Sequence, residues 1–149
     1  MVMKIKKQIK RYHRWIAPDD LHEQCMIWLS DLKFMKEEQL FFDHLVQKYN
    51  VNLIKPKNYL EGKDILNRLD TVREKLPTLF TKLINHSNNL SVLVDGKDEP
   101  EKERFFKDEH KQMVTMLSEY LSEYNTLKQQ IFKLIIEIKK SDKPKRLLN

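Results

Sequence analysis

The chain has 149 residues, with 28 Lys/Arg against 22 Asp/Glu and only 2 Gly and 5 Pro. A chain of this length buries enough of its own surface for one self-sufficient domain, and 40% hydrophobic residues are too many for a disordered one. Two glycines exclude the Gly-rich phosphate loop and the dinucleotide fingerprint, one cysteine excludes a disulfide framework, and no apolar run approaches the ~20 residues of a membrane-spanning helix.

Residues 1–16 hold six Lys/Arg and no acid, and residues 139–149 hold five against Asp142, so the stretch between carries a small acidic excess. The basic character therefore belongs to the ends. Residues 1–17 read as a basic amphipathic segment: Ile5, Ile9, Tyr12 and Ile16 share one side of a helix, and Lys4, Lys6, Lys7, Lys10, Arg11 and Arg14 form a basic patch on the rest. Such a segment suits an anionic membrane surface, a nucleic acid on which Tyr12, His13 and Trp15 would stack, or the body of the protein, as a short fourth helix. It lacks the apolar stretch and cleavage site of a secretory leader. With a single cysteine, the expectation is a cytoplasmic protein.

The first helix is expected over about 20–49, where Asp20 and Glu23 have the spacing of a capping box. Leu21, Trp28, Met35, Phe42 and Tyr49 recur at heptad spacing, and Cys25, Leu32 and Val46 widen the stripe. After a connector through Pro56, Asn58 and Glu61 repeat the capping pattern and open a second helix. Its seam runs Ile65, Leu69, Val72, Leu76, Leu79, Leu83, His86, Leu90 and Leu93, alternating by four and three as in a coiled coil. Gly96 ends it. Asp98 and Pro100 introduce a third helix, expected to reach about Lys140 before Pro144. Its stripe is Phe106, Met113, Tyr120, Leu127 and Leu134, flanked by His110, Leu117, Tyr124, Ile131 and Ile138.

Short connectors favour antiparallel neighbours, so the fold expected is all-α, an up-down-up antiparallel bundle of three long helices. Residues 18–141 form the bundle domain and 142–149 a basic C-terminal tail. Three wide stripes call for a fourth helix or a second copy of the chain to cover them, and Phe41 and Phe105, at the stripe margins, are candidates for a homodimer surface.

The informative positions are those where a seam admits a titratable side chain. If the turns pivot near residues 54 and 97, His86 reflects onto residues 22 and 108, so His22, His86 and His110 are expected in one layer near an end of the bundle. Imidazoles converging from separate helices suit a transition metal, with Asp19, Glu103 or Glu109 as neighbouring carboxylates. No Glu-x-x-His, His-x-x-x-His or His-Glu-x-x-His pattern accompanies them, and hydrogen-bonded architectural histidines are the competing reading. On the same reflection Arg73 falls between Asp31 and Glu38 on one side and near Glu119 or Glu123 on the other. A buried ion pair of Arg73 with Asp31, Glu38 and Glu123 would then fix helix register. Cys25 reads as a buried small hydrophobe.

No catalytic constellation and no small-molecule substrate can be read from these residues. The leading expectation is a non-enzymatic helical bundle acting in protein interactions, self-associating and needing no cofactor. The alternatives are a metal-binding bundle using the histidine layer, and a peripheral binder of anionic membrane or nucleic acid acting through its basic ends.

Overall fold

The computed structural model describes residues 17–95 and 100–148. They form four helices in chain order: α1 (Pro18–Lys48), α2 (Asn50–Leu53), α3 (Tyr59–Asp95) and α4 (Pro100–Leu148). There is no strand among the described residues, and no helix is long and apolar enough to cross a membrane. The segment 1–16, with its basic patch and the proposed fourth helix, lies outside the described residues.

Side-chain pairs set the direction of each helix. Met26 meets Ser87 and Asp43 meets Arg73, so α1 and α3 are antiparallel. His86 meets Glu109 and Lys75 meets Glu123, so α3 and α4 are antiparallel. Gln24 meets His110 and Gln39 meets Tyr120, leaving α1 and α4 parallel. The up-down-up bundle is the architecture read from the connectors. Every seam position from Ile65 to Leu90 is buried, as are Leu21, Trp28, Met35 and Phe42 on α1 and Met113, Tyr120, Leu127 and Leu134 on α4. Tyr49, Leu93 and Phe106, at the ends of the stripes, are half-buried against this core.

The helix boundaries differ from the expected ones for local reasons. Asp20 does not cap α1; Ala17 occupies the cap position in extended backbone, and Pro18 takes the first turn, where its missing N–H costs nothing and its fixed φ suits the helix. At the other end of the bundle, α1 passes through Tyr49 into the single turn of α2. The Asn58 side chain donates to the Asn52 carbonyl at 3.0 Å and ties the connector together, while its own carbonyl accepts the Gly62 N–H at 2.7 Å and opens α3. Pro77 sits inside α3 without ending it. Similarly α4 continues through Pro144 to Leu148: a proline forfeits one backbone bond and crowds the preceding turn, which bends a long helix more readily than it stops one.

The connector depends on one glycine. A Cβ on Gly62 would lie 2.6 Å from the Leu53 carbonyl oxygen, because the first turn of α3 passes directly against the end of α2. In an open helix Gly→Ala gains about 1 kcal/mol. Here the sign reverses: Gly62→Ala is expected to destabilise the protein by about 1–3 kcal/mol through overpacking, read as a lower midpoint in urea unfolding. An unchanged or higher midpoint would show that the connector has room to yield.

Candidate metal centre

Near one end of the bundle the three long helices each place a metal-ligating side chain on the buried seam. Cys25 from α1, His86 from α3 and His110 from α4 are 0%, 1% and 0% exposed. Their ligating atoms lie within 4.8 Å of one another. His86 Nε2 stands 2.9 Å from His110 Nδ1, and Cys25 Sγ is 3.9 Å from the same His110 nitrogen. The Trp28 ring stacks on His110 with centroids 4.9 Å apart and an interplanar angle of 23°.

The far nitrogen of each ring is also engaged. His86 Nδ1 donates to Glu109 Oε1 at 2.6 Å, and that carboxylate also accepts from Asn89 Nδ2 at 3.3 Å. His110 Nε2 donates to Gln24 Oε1 at 2.9 Å. A neutral imidazole carries one N–H. With both outer nitrogens donating, His86 Nε2 and His110 Nδ1 would turn lone pairs toward each other beside the cysteine sulfur, an arrangement that calls for a proton or a cation between them. Two arrangements complete this chain without an ion. An extra proton can sit between the rings, or the Gln24 amide can turn over, offer its NH2 to His110 Nε2 and leave the proton on Nδ1.

Burial opposes the extra proton. It lowers the pKa of His86 although Glu109 pulls the other way, and it drives His110 down to about 3, with the neighbouring His86 adding to the effect. Burial likewise pushes the Cys25 thiol up to about 12, helped by the Glu109 charge. Without a cation the sulfur is a protonated, unreactive thiol. A bound cation would reverse that preference and turn all three groups into ligands.

The structure brings two of the three expected histidines together. His86 and His110 meet, but His22 is half-buried and outside the group; Gln24 and Cys25 take its place. The turn between α1 and α3 pivots near residue 58, midway between the paired Asp43 and Arg73, because α2 and the turn after it lengthen the connection. Of the three candidate carboxylates, Glu109 is the one that reaches the site, whereas Glu103 pairs with Lys107 at 3.1 Å.

The same shift dissolves the expected buried ion pair. Arg73 is exposed and pairs with Asp43, at 2.6 and 2.7 Å to the two carboxylate oxygens, and with Asp70. Asp31 is half-buried, Glu38 accepts from Tyr124 at 2.6 Å and from Lys128 at 3.0 Å, and Glu123 accepts from Lys75 at 3.1 Å. The middle of the bundle instead holds a neutral buried relay: Gln39 Nε2 donates to Tyr120 Oη at 2.8 Å, and that hydroxyl donates to the Val72 carbonyl at 2.8 Å. Gln39 was legible as the polar residue four after Met35 and three before Phe42, inside the α1 stripe.

No family model, curated protein or solved structure matches this chain.

Burial raises the Tyr120 phenol to about 12, against about 10 for a free tyrosine. Its contribution to stability is thus fully present below about pH 10 and is lost as pH rises from there towards 12. Tyr124 shifts in the same direction through burial and the Glu38 carboxylate. The urea midpoint should fall across that window, with a shallower fall in Tyr120→Phe; equal slopes in both proteins would remove Tyr120 from the account.

Proposed function

We propose that this chain is a transition-metal-binding helical bundle, with Cys25, His86 and His110 as the protein ligands. The observation that carries the reading is convergence: three long helices bring a thiol and two imidazoles, all buried, within 4.8 Å of one another. Glu109 Oε1 and Gln24 Oε1 stand 2.6 and 2.9 Å from the outer nitrogens of the two rings, where they can receive those nitrogens' protons and leave the inner ones to an ion. Outer partners of this kind fix tautomer and ring orientation in metal sites. A thiolate with two imidazoles is a borderline-to-soft donor set, suited to zinc or copper and unsuited to magnesium or calcium. Each ligand comes from a different long helix, so an ion here would fasten all three together at one end of the bundle. Protein purified without chelator, or reconstituted anaerobically with Zn(II), Cu(I), Co(II) or Fe(II), is expected to hold about one ion per chain. A His86→Ala/His110→Ala double variant should lose it. Cys25→Ala, which removes a ligand with little change of volume, guards against a variant that simply fails to fold. Metal-free wild type after every reconstitution would leave the histidines architectural.

A second reading, self-association, is favoured by a separate observation. Phe42 in the core touches both Phe41 and Phe132, with ring centroids 5.6 and 5.4 Å apart. Phe41 and Phe132 are 54% and 45% exposed, and Ile136, one turn beyond Phe132, is 50% exposed. Phe41 and Phe132 thus flank Phe42 as exposed apolar side chains where α1 meets α4, a feature of the kind that marks protein contacts, with a second copy of the chain as its proposed occupant. Phe105 is exposed too, packed edge-on against Phe106 nearer the start of α4. Sedimentation should give a dimer that Phe41→Ser/Phe132→Ser converts to monomer; a monomeric wild type at high concentration would end this reading.

A further inference from the structure

The end of the bundle opposite the metal site is formed by the α1–α3 connector, which exposes apolar side chains where turns are ordinarily polar. Leu60 is 82% and Val51 68% exposed, more than any other large apolar side chain among the described residues, and Ile54 and Tyr59 in the same connector are exposed as well. The backbone that presents them is fixed in place. The Asn58 N–H bonds the Lys55 carbonyl at 2.9 Å and closes a turn whose second residue, Pro56, has its φ set by its own ring. The Asn58 side chain ties back to Asn52, and Gly62 lies directly against Leu53. Val51 and Ile54, three residues apart, share a side of the α2 turn, while Leu53 is buried on another.

Lysines surround this apolar group. Lys55 and Lys57 flank Pro56 at the apex of the turn, all three exposed. Lys48 and Lys63 stand on the helices to either side, with their ammonium groups 5.7 and 5.9 Å from the Tyr49 and Tyr59 ring centroids. From α4, Glu137, Ile138 and Ser141 line one crevice with Lys55 and Lys57, so the exposed Lys139 and Lys140 arrive at the same end. Charge is segregated along the bundle axis. Residues 48–68 and 130–141, at the connector end, hold eight Lys/Arg against three Asp/Glu, whereas residues 18–26 and 100–110, at the metal-site end, hold three against seven.

We infer that the connector end docks on an anionic lipid bilayer, with Val51, Ile54 and Leu60 entering the boundary between headgroups and acyl chains and Lys55 and Lys57 binding headgroup phosphates. A bilayer surface is the one occupant that uses both halves of the tip: it takes apolar side chains to a shallow depth and holds lysines at its charged face. A second copy docked tip to tip would set Lys55 and Lys57 against their own counterparts, because a two-fold contact matches a patch with itself. A nucleic acid would engage the lysines and leave Val51, Ile54 and Leu60 in water. The axial charge separation turns the basic end toward an anionic surface and the acidic end away from it. The docked chain therefore stands on its connector, with Cys25, His86 and His110 remote from the lipid.

The test is sedimentation of the full chain with vesicles of phosphatidylcholine alone and of phosphatidylcholine mixed equally with phosphatidylglycerol. Binding is expected to the mixed vesicles alone and to weaken as salt is raised. Lys55→Gln/Lys57→Gln should weaken it by about thirtyfold, at about fivefold per lysine. Ile54→Ser/Leu60→Ser should weaken it by about tenfold or more. All four positions are exposed, so the urea midpoints of both variants should match wild type. A Leu60→Trp variant bound to vesicles with bromine-labelled acyl chains should be quenched more strongly than wild type, which carries Trp15 and Trp28. Failure of wild type to bind the mixed vesicles would overturn the inference. Binding that both double variants retain in full would also overturn it, because the contact would then lie elsewhere in the chain. Loss in the lysine variant alone, with no extra quenching in Leu60→Trp and with tight retention of a DNA oligonucleotide, would overturn it in favour of a nucleic acid.

Discussion

Every polar side chain inside this bundle has to find its partner on another helix, and the rest of the structure follows from that constraint. An α-helix satisfies its own backbone, so it offers a buried imidazole, amide or phenol little to bond to, while an unpaired buried group costs about 1–3 kcal/mol. Three long helices with wide apolar stripes leave only side chains and an occasional carbonyl to meet the need. Gln24 bonds His110, Gln39 bonds Tyr120, and Tyr120 reaches the Val72 carbonyl. Each of these bonds fixes a rotation and a height of one helix against another. Apolar contacts tolerate a slip of one turn far better, because one leucine in the seam resembles the next.

The two polar layers differ in how they are joined. The middle relay of Gln39, Tyr120 and Val72 runs from amide to hydroxyl and ends on a backbone carbonyl. At the tip, Glu109 and Gln24 engage the outer nitrogens of the two rings, and the inner nitrogens meet each other beside Cys25. The two layers thus join the same helices by different means, a linear relay in the middle and a ring-to-ring contact at the tip.

The apolar seams were legible because a heptad pattern needs only the local period of the helix: positions from Leu21 to Phe42, Ile65 to Leu90 and Met113 to Ile138 are in the core as their spacing implies. His86 and His110 stood out for the same reason, as polar interruptions of a regular stripe. What the sequence concealed was the vertical offset between helices. That offset depends on the three-dimensional path of the α1–α3 connector, where the turn of α2 and the close approach at Gly62 move the pivot a few residues beyond 54. The error carried Arg73 away from Asp31 and Glu38 to Asp43, and exchanged His22 for Gln24 and Cys25. Cys25 was placed on the stripe correctly. Its significance depended on a neighbour 85 residues away that no periodicity can identify.

That separation has a bearing on the order in which the molecule assembles. Short connectors let α1 and α3 pair as one helical hairpin and α3 and α4 as another, at small cost in chain closure. His86 and His110, 24 residues apart, come together within the second hairpin. Cys25 comes beside His86 through the first hairpin, so the two hairpins that share α3 bring all three together. The cluster of Cys25, His86 and His110 is therefore complete only when both hairpins have formed on the α3 they share.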